Sequence, residues 1–311
     1  MSNHTATQIR QKTQMAKKLV KHHFGGSIKK IEFKPAGKTN YVFEVVNADG
    51  KFIVRISDSR TKLSDFIKEQ WATQKVSEKK VPVPEILEVG NEMIPMPYML
   101  QKKIEGKEAM DHPKRLDILY DLGCYAKQIH SIPTEGFGHS FNWSNNKLSK
   151  KTTWPDFINK ELELDGRLKF LEHNNILPKK KLAKLSSFFE KIKKWKGKPT
   201  LNHCDLRLKN VLVNDDGKIK AIIDWENCTS NIAPYWDFSI ALHDLSIDGK
   251  QKFLEGYGLN FEEFNQMSYA LTAFNLINYI PALEKIIKEK DRNMLELYKL
   301  RLNGSLDLFS L

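Results

Sequence analysis

No run of apolar residues in this chain approaches the roughly 20 needed to cross a bilayer as a helix. The first stretch, MSNHTATQIRQKTQ, is polar and lacks the apolar centre of a secretory signal. These two gaps point away from a membrane and toward a cytoplasmic protein. Cysteine is scarce as well. Cys124, Cys204 and Cys228 form no metal-ligand spacing, and an odd number without a secretion signal favours reduced thiols over disulfides or structural zinc. Internal repeats and low-complexity tracts are also missing, which sets aside repeat and fibrous architectures.

What is present is enough apolar material to fold. With 311 residues, 41% of them hydrophobic, the chain can bury one large core or two modest ones, and its length leans toward two lobes. The formal net charge of +12 raises the possibility of a nucleic-acid binder, because a basic surface gains affinity by releasing counterions from phosphates. That reading needs a focused patch. Much of the excess falls between Lys150 and Lys198, in KKKLAKL and EKIKKWKGK, whereas residues 200–260 carry more acids than bases. A solvated helix face with lysines outward explains this better than a nucleic-acid surface, since no stacking-aromatic or helix-turn-helix signature accompanies it.

The opening segment TATQIRQKTQMAKKLVKHHFGG sets Ile9, Ala16, Leu19, Val20 and Phe24 at helical spacing, with Thr7 as the expected N-cap and Gly25-Gly26 as the stop. Three short runs rich in β-branched and aromatic residues follow: SIKKIEFKPAG, TNYVFEVVNADG and KFIVRIS. They are punctuated by Gly37 and by Asn47-Ala48-Asp49-Gly50, and they read as a β-meander. Residues 61–79 return to helical spacing. Pro82 and Pro84 then impose an extended segment, and EILEVGNEMI and PYMLQKKI read as further strands. From about residue 114 the pattern is mainly helical, with Leu116, Leu119, Leu122, Ala126 and Ile129 on one face of a helix closed by Pro133 and with further helices over about 154–172 and 178–195. The fold class expected is α+β. A β-rich N-terminal lobe over 1–101 precedes a larger helical lobe over 102–311.

One stretch interrupts the helical half: LNHCDLRLKNVLVNDDGKIKAIIDW, residues 201–225. VLVNDDGKIKAIID reads as strand, turn and strand, with Asp215, Asp216 and Gly217 supplying the turn. Folding it antiparallel sets Asn210, before the first strand, roughly opposite Asp224, after the second. Two oxygen-bearing side chains then meet at one end of a hairpin. Hard cations such as Mg2+ take oxygen ligands and commonly use one or two protein groups plus nucleotide phosphates. Asp205, five residues before Asn210, is placed to orient and deprotonate a hydroxyl.

His203-Cys204-Asp205-Leu206-Arg207-Leu208-Lys209-Asn210 with Ile222-Ile223-Asp224-Trp225 resembles the H-x-D-x-x-x-x-N and I-D-W signatures of the aminoglycoside phosphotransferase and choline kinase superfamily. The resemblance spans residues 30–260 and implies a protein-kinase-like two-lobe fold. It implies Asp205 as catalytic base, Asn210 and Asp224 as ligands of Mg2+, and ATP or GTP as co-substrate. It also implies that Arg55 of FIVRIS, where the family carries a basic residue, reaches the nucleotide phosphates and pairs with Glu69. Gly37 and Asn40 fall where the family has a nucleotide-covering loop, and the backbone near Leu100 and Gln101 falls where it meets the nucleobase. His203 and Asp237 would brace the catalytic loop. TTWPDFI is similar to hygromycin-type kinases, and Phe141, Trp143 and Trp154 either border the acceptor site or pack in the core.

The function expected is a small-molecule kinase acting on an aminoglycoside-like or other small polar acceptor, as a monomer or homodimer without membrane association. Two alternatives accompany it: a nucleotide-binding pseudokinase module, motivated by Arg55 in place of lysine, and a nucleic-acid-associated basic protein. Asp244, Asp248, Glu226, Glu255, Glu262 and Glu263 are candidates for an acidic pocket that would take a cationic acceptor. Solvent-exposed helix charges are the competing account of them.

Overall fold

The computed structural model describes residues 4–35, 40–139, 141–142, 147–148 and 152–308. Its contacts divide the chain into two compact units, one formed by 1–114 with 208–226 and the other by 115–207 with 227–311.

The first unit opens with helix α1 (Ala6–Phe24). Its N-cap is Thr5 instead of the expected Thr7, because Gln8 lies three residues after Thr5 and completes a capping box: each side chain answers the other's backbone N–H. Gly25, at φ 70°, closes the helix as expected. Strands β1 (Lys30–Lys34), β2 (Tyr41–Val46) and β3 (Lys51–Ile56) follow, then helix α2 (Lys62–Glu78) and strands β4 (Ile86–Gly90) and β5 (Tyr98–Lys102). These strands make one antiparallel sheet in the order β1-β2-β3-β5-β4. The turn before β3 is tied by Asn47, whose Oδ1 accepts from the N–H groups of Asp49 and Gly50. Alternation along β3 sends Phe52, Val54 and Ile56 into a core shared with Ala16, Leu19 and Val20 of α1, which leaves Ile53 and Arg55 on the opposite face.

Within the same unit, β6 (Lys107–Glu108), β10 (Val211–Val213) and β11 (Ile219–Ile222) form a three-stranded sheet in the order β11-β10-β6. The expected hairpin over 211–222 is present. Gly217, at φ 84°, makes its turn, and Asn214 closes it by accepting from Gly217 N–H through its carbonyl and from Lys218 N–H through its side chain.

The second unit is mainly helical: α3 (Arg115–His130), α4 (Trp154–Asp156), α5 (Leu164–His173), α6 (Lys179–Ile192), α7 (Tyr235–Ala241), α8 (Ile247–Tyr257), α9 (Phe261–Asn278), α10 (Ile280–Lys288) and α11 (Arg292–Leu308). Two short sheets accompany them, β7 (Phe141–Asn142) with β8 (Lys147–Leu148) and β9 (Thr200–Asn202) with β12 (Thr229–Asn231). The helix expected over 154–172 is not continuous. A π-helical turn spans Phe157–Glu161, and Glu163 adopts a left-handed φ of 49°, which ends one segment before α5 begins. In α6 the apolar Leu185, Phe189 and Ile192 face inward, while Lys179 and Lys180 stay in solvent. No helix among the described residues is long and apolar enough to cross a membrane.

Candidate active site

In the first unit the site is organised around Arg55. Strand β3 holds it between Val42 of β2 and Met99 of β5, with its side chain only 14% exposed. Helix α2 places Phe66, Glu69, Thr73 and Val76 on one buried face, so that Glu69 meets the guanidinium. Arg55 Nη1 donates to both carboxylate oxygens of Glu69, at 2.8 and 2.9 Å. Its carbon lies 5.2 Å from the centroid of the Phe66 ring. Arg55 Nη2 reaches Glu226 Oε2 at 3.4 Å, and the same oxygen is 3.0 Å from Lys62 Nζ. Burial alone would weaken the guanidinium's hold on its proton. Glu69, Glu226 and Asp224 outweigh burial and raise its pKa.

The hairpin supplies the oxygen donors in this unit. Val211 pairs with Ile222, and Ile223 N–H donates to the carbonyl of Asn210 at 2.9 Å. Asn210 and Asp224 therefore flank the same end of the ladder, as the sequence suggests. Asn210 is buried, and Asp224 sits at a left-handed φ of 69°, a conformation aspartate tolerates better than most residues. Asn210 offers an amide oxygen and Asp224 a carboxylate, hard donors of the kind that Mg2+ takes, so the pair fits that ion. Among the described residues no group of three or more His, Cys, Asp or Glu side chains could hold a metal by itself.

Leu100 and Gln101 lie on β5, flanked by β3 on one side and β4 on the other, with Leu100 fully buried. Asn40 is buried at the start of β2, and its Oδ1 has no hydrogen-bond partner among the described residues. Gly37 and Trp143 lie outside the described residues.

The second unit carries His203, Cys204 and Asp205, in the segment that follows β9. Asp237, in the first turn of α7, is wholly buried. Its carboxylate accepts from the backbone N–H groups of His203 and Cys204, at 2.9 and 2.6 Å, and from His130 Nε2–H at 2.9 Å. Burial raises the Asp237 pKa, but the bonds and charges of His130 and His203 outweigh it and hold the carboxyl below its ordinary value. These bonds fix Cys204 at φ 66° and turn the chain toward Asp205. His203 braces the turn from within: its Nδ1 accepts from Asp205 N–H at 3.2 Å, which leaves the ring proton of the neutral form on Nε2. Asp205 is 7% exposed, and Arg207 donates to its Oδ1 through both Nε and Nη2, at 2.5 Å each. His130 Nδ1 also stands 3.1 Å from the hydroxyl of Tyr257. Trp154 is buried in the core, with its indole N–H on the carbonyl of Ile192.

Three pairings in these clusters escape a sequence reading: His130 with Asp237, Glu226 with Arg55, and Arg207 with Asp205. His130 lies 107 positions from Asp237, and Glu226 lies 171 from Arg55. Only Arg207, two residues after Asp205, had a local signal in its position.

A model of the phosphotransferase enzyme family known as APH matches residues 30–270. The chain belongs to that family. Among solved structures, this phosphotransferase family member is similar to aminoglycoside phosphotransferase APH(4)-Ia, with a TM-score of 0.72 and 18% identity over 96% of this chain and 99% of that one. It is also similar to a thermostable mutant of APH(4)-Ia in ternary complex with AMP-PNP and hygromycin B, with a TM-score of 0.69 and 18% identity over 94% and 97%. A GDP and kanamycin complex of APH(2")-IIia aligns with a TM-score of 0.62 and 15% identity over 95% and 97%. At such identities the likeness establishes the fold, which is the protein-kinase-like α+β architecture that the motifs implied. No curated protein sequence matches the chain.

Proposed function

We propose that this chain transfers the γ-phosphoryl group of ATP or GTP to a hydroxyl of a small polar acceptor. The observation that carries this reading is the buried, two-oxygen engagement of Glu69 by Arg55, in a chain whose HCDLRLKN motif leads straight into the hairpin bearing Asn210 and Asp224. A buried charge pair is costly to maintain. Its presence on β3 and α2 makes sense where a rigid cation must meet phosphate oxygens, and a guanidinium does so with a fork of donors.

In this reading Asp205 orients the acceptor hydroxyl and takes its proton, with Arg207 fixing the carboxylate's rotamer. Arg55 holds the nucleotide phosphates, and Glu69 and Glu226 hold Arg55. Asn40 borders the nucleotide, and the backbone after Leu100 and Gln101 meets its base. Asn210 and Asp224 would hold Mg2+, which when bound neutralises charge on the β- and γ-phosphates. Because phosphoryl transfer asks little covalent chemistry of the protein, alignment and charge compensation carry the rate.

The test is nucleotide-dependent phosphorylation of a panel of hydroxylated compounds, run with Mg2+ and again with EDTA. Transfer that depends on the metal is expected. Nucleotide bound tightly but never consumed with any acceptor would favour a pseudokinase instead. Arg55→Met should raise the nucleotide KM by about tenfold, the scale of one lost charge-assisted hydrogen bond. An unchanged KM would remove Arg55 from the phosphate site.

A further inference from the structure

A second cation, Lys62, belongs to the Arg55 cluster of the first unit. Lys62 begins α2, and the N-cap of that helix, Thr61, makes no side-chain cap hydrogen bond. A cation in the first turn of a helix faces the positive end of the backbone dipoles, so local structure disfavours a lysine there. Its side chain is nevertheless only 16% exposed, with Nζ 3.0 Å from Glu226 Oε2 and 3.1 Å from Asp65 Oδ2. Burial alone would lower the Lys62 pKa, and Glu226 and Asp65 outweigh burial and raise it.

The two cations do not share Glu226 equally. Arg55 commits Nη1 to Glu69, at 2.8 and 2.9 Å from its two oxygens. Among the described residues Arg55 Nη2 has one partner, Glu226 Oε2, at 3.4 Å. The same oxygen is nearer to Lys62, so the lysine is its firmer holder. An oxygen shared by two cations sets them against each other, and the strain is relieved when an incoming anion takes one of them. A phosphate oxygen at Nη2 would displace the longest of these contacts and leave both Glu69 bonds in place. Glu226 would keep Lys62, so no half-buried carboxylate is stranded beside the phosphates.

We infer that Lys62 is a positioning residue of the nucleotide site: by holding Glu226 it keeps Nη2 of Arg55 open to a phosphate oxygen. The inference rests on the reading of Arg55 as the residue that holds the nucleotide phosphates. Without the ammonium, Glu226 closes onto Nη2, and Arg55 gains a second short carboxylate pair that competes with phosphate. The unscreened charge of Glu226 then also repels the nucleotide. Asp65, one turn further along α2, steadies Lys62 in this place.

The experiment measures MgATP affinity by calorimetry beside the KM for ATP in the transfer assay, at a temperature where every variant is folded. Lys62→Met should weaken MgATP binding by about fivefold, the upper end for an ion pair that water still reaches, with the loss carried in Kd and KM and not in kcat. Lys62→Gln should match it, and Lys62→Arg should recover most of the loss. In a Glu226→Gln background the same Lys62→Met change should alter MgATP affinity by less than twofold, because the competing charge is gone. A fivefold loss that persists in that background would overturn the inference, since Lys62 would then act without Glu226. MgATP affinity unchanged in both Lys62→Met and Lys62→Gln, but weakened in Arg55→Met, would overturn it and leave the phosphotransferase reading intact. Unchanged affinity in Arg55→Met would remove the phosphate contact and the inference with it.

Discussion

Asp205→Asn should lower turnover by about 10²-fold or more, the usual scale for losing a positioned proton acceptor, while nucleotide affinity stays within about threefold of the parent, well under 1 kcal/mol. The asparagine keeps the shape and one carbonyl oxygen for Arg207 but cannot take a proton. Asp205→Ala removes Arg207's partner as well, so the arginine loses two 2.5 Å contacts and the loop loses a tether. The alanine variant should therefore show a further loss in kcat, or a lower Tm, that the asparagine variant does not. Nucleotide affinity is expected to survive because the groups proposed to hold phosphate and metal, Arg55, Asn210 and Asp224, belong to the first unit, whereas Asp205 belongs to the second. Single-turnover measurement of transfer beside calorimetric nucleotide binding separates these effects. Turnover within threefold of the parent would take Asp205 out of the base role.

The fold was legible where the signal is local and periodic. Alternation in KFIVRI, the i, i+3, i+7 spacing of Phe66, Glu69 and Thr73, and Asp-Asp-Gly in the hairpin each reflect how side chains and turns are disposed within a few residues, and each element formed there. Local reading failed where one residue's conformation overrode its neighbours' pattern. Glu163 breaks a helical stretch whose apolar spacing runs on without interruption, and nothing in its side chain announces a left-handed backbone. The α1 cap was missed because two threonines compete and only Thr5 has a glutamine three residues on. Charge was the least legible property. Acids at 226, 244, 255 and 263 look alike in sequence, yet one braces Arg55, one meets Arg301, one pairs with Lys252 and one caps a helix. Which cation an acid meets is decided by tertiary packing, so an acidic composition says little about an acidic pocket.

Asp237→Ala should cost about 3–5 kcal/mol of stability, the range found when one partner of a buried charge pair is removed and a large share of the 5–15 kcal/mol that holds a typical domain together. The wholly buried carboxylate accepts three hydrogen bonds, and its loss strands the N–H groups of His203 and Cys204 together with His130 Nε2–H. Each stranded donor keeps its desolvation penalty and recovers no partner. Asp237→Asn leaves one acceptor oxygen and turns an N–H₂ toward donors, so it should fall between alanine and the parent. The same bonds set a pH dependence. The folded carboxyl titrates below its unfolded value of about 3.8, so its contribution is present in full above that value and disappears as the pH falls through the folded pKa. Urea unfolding followed from pH 7 down to pH 3 should show the parent losing stability below about pH 4 more steeply than Asp237→Asn, which has no proton to gain there. Because Asp237 fixes the turn that aims Asp205, the asparagine variant should also lose kcat at temperatures where it is fully folded, with nucleotide binding intact. A Tm and acid limb matching those of the parent would mean that the loop is held in place without this carboxylate.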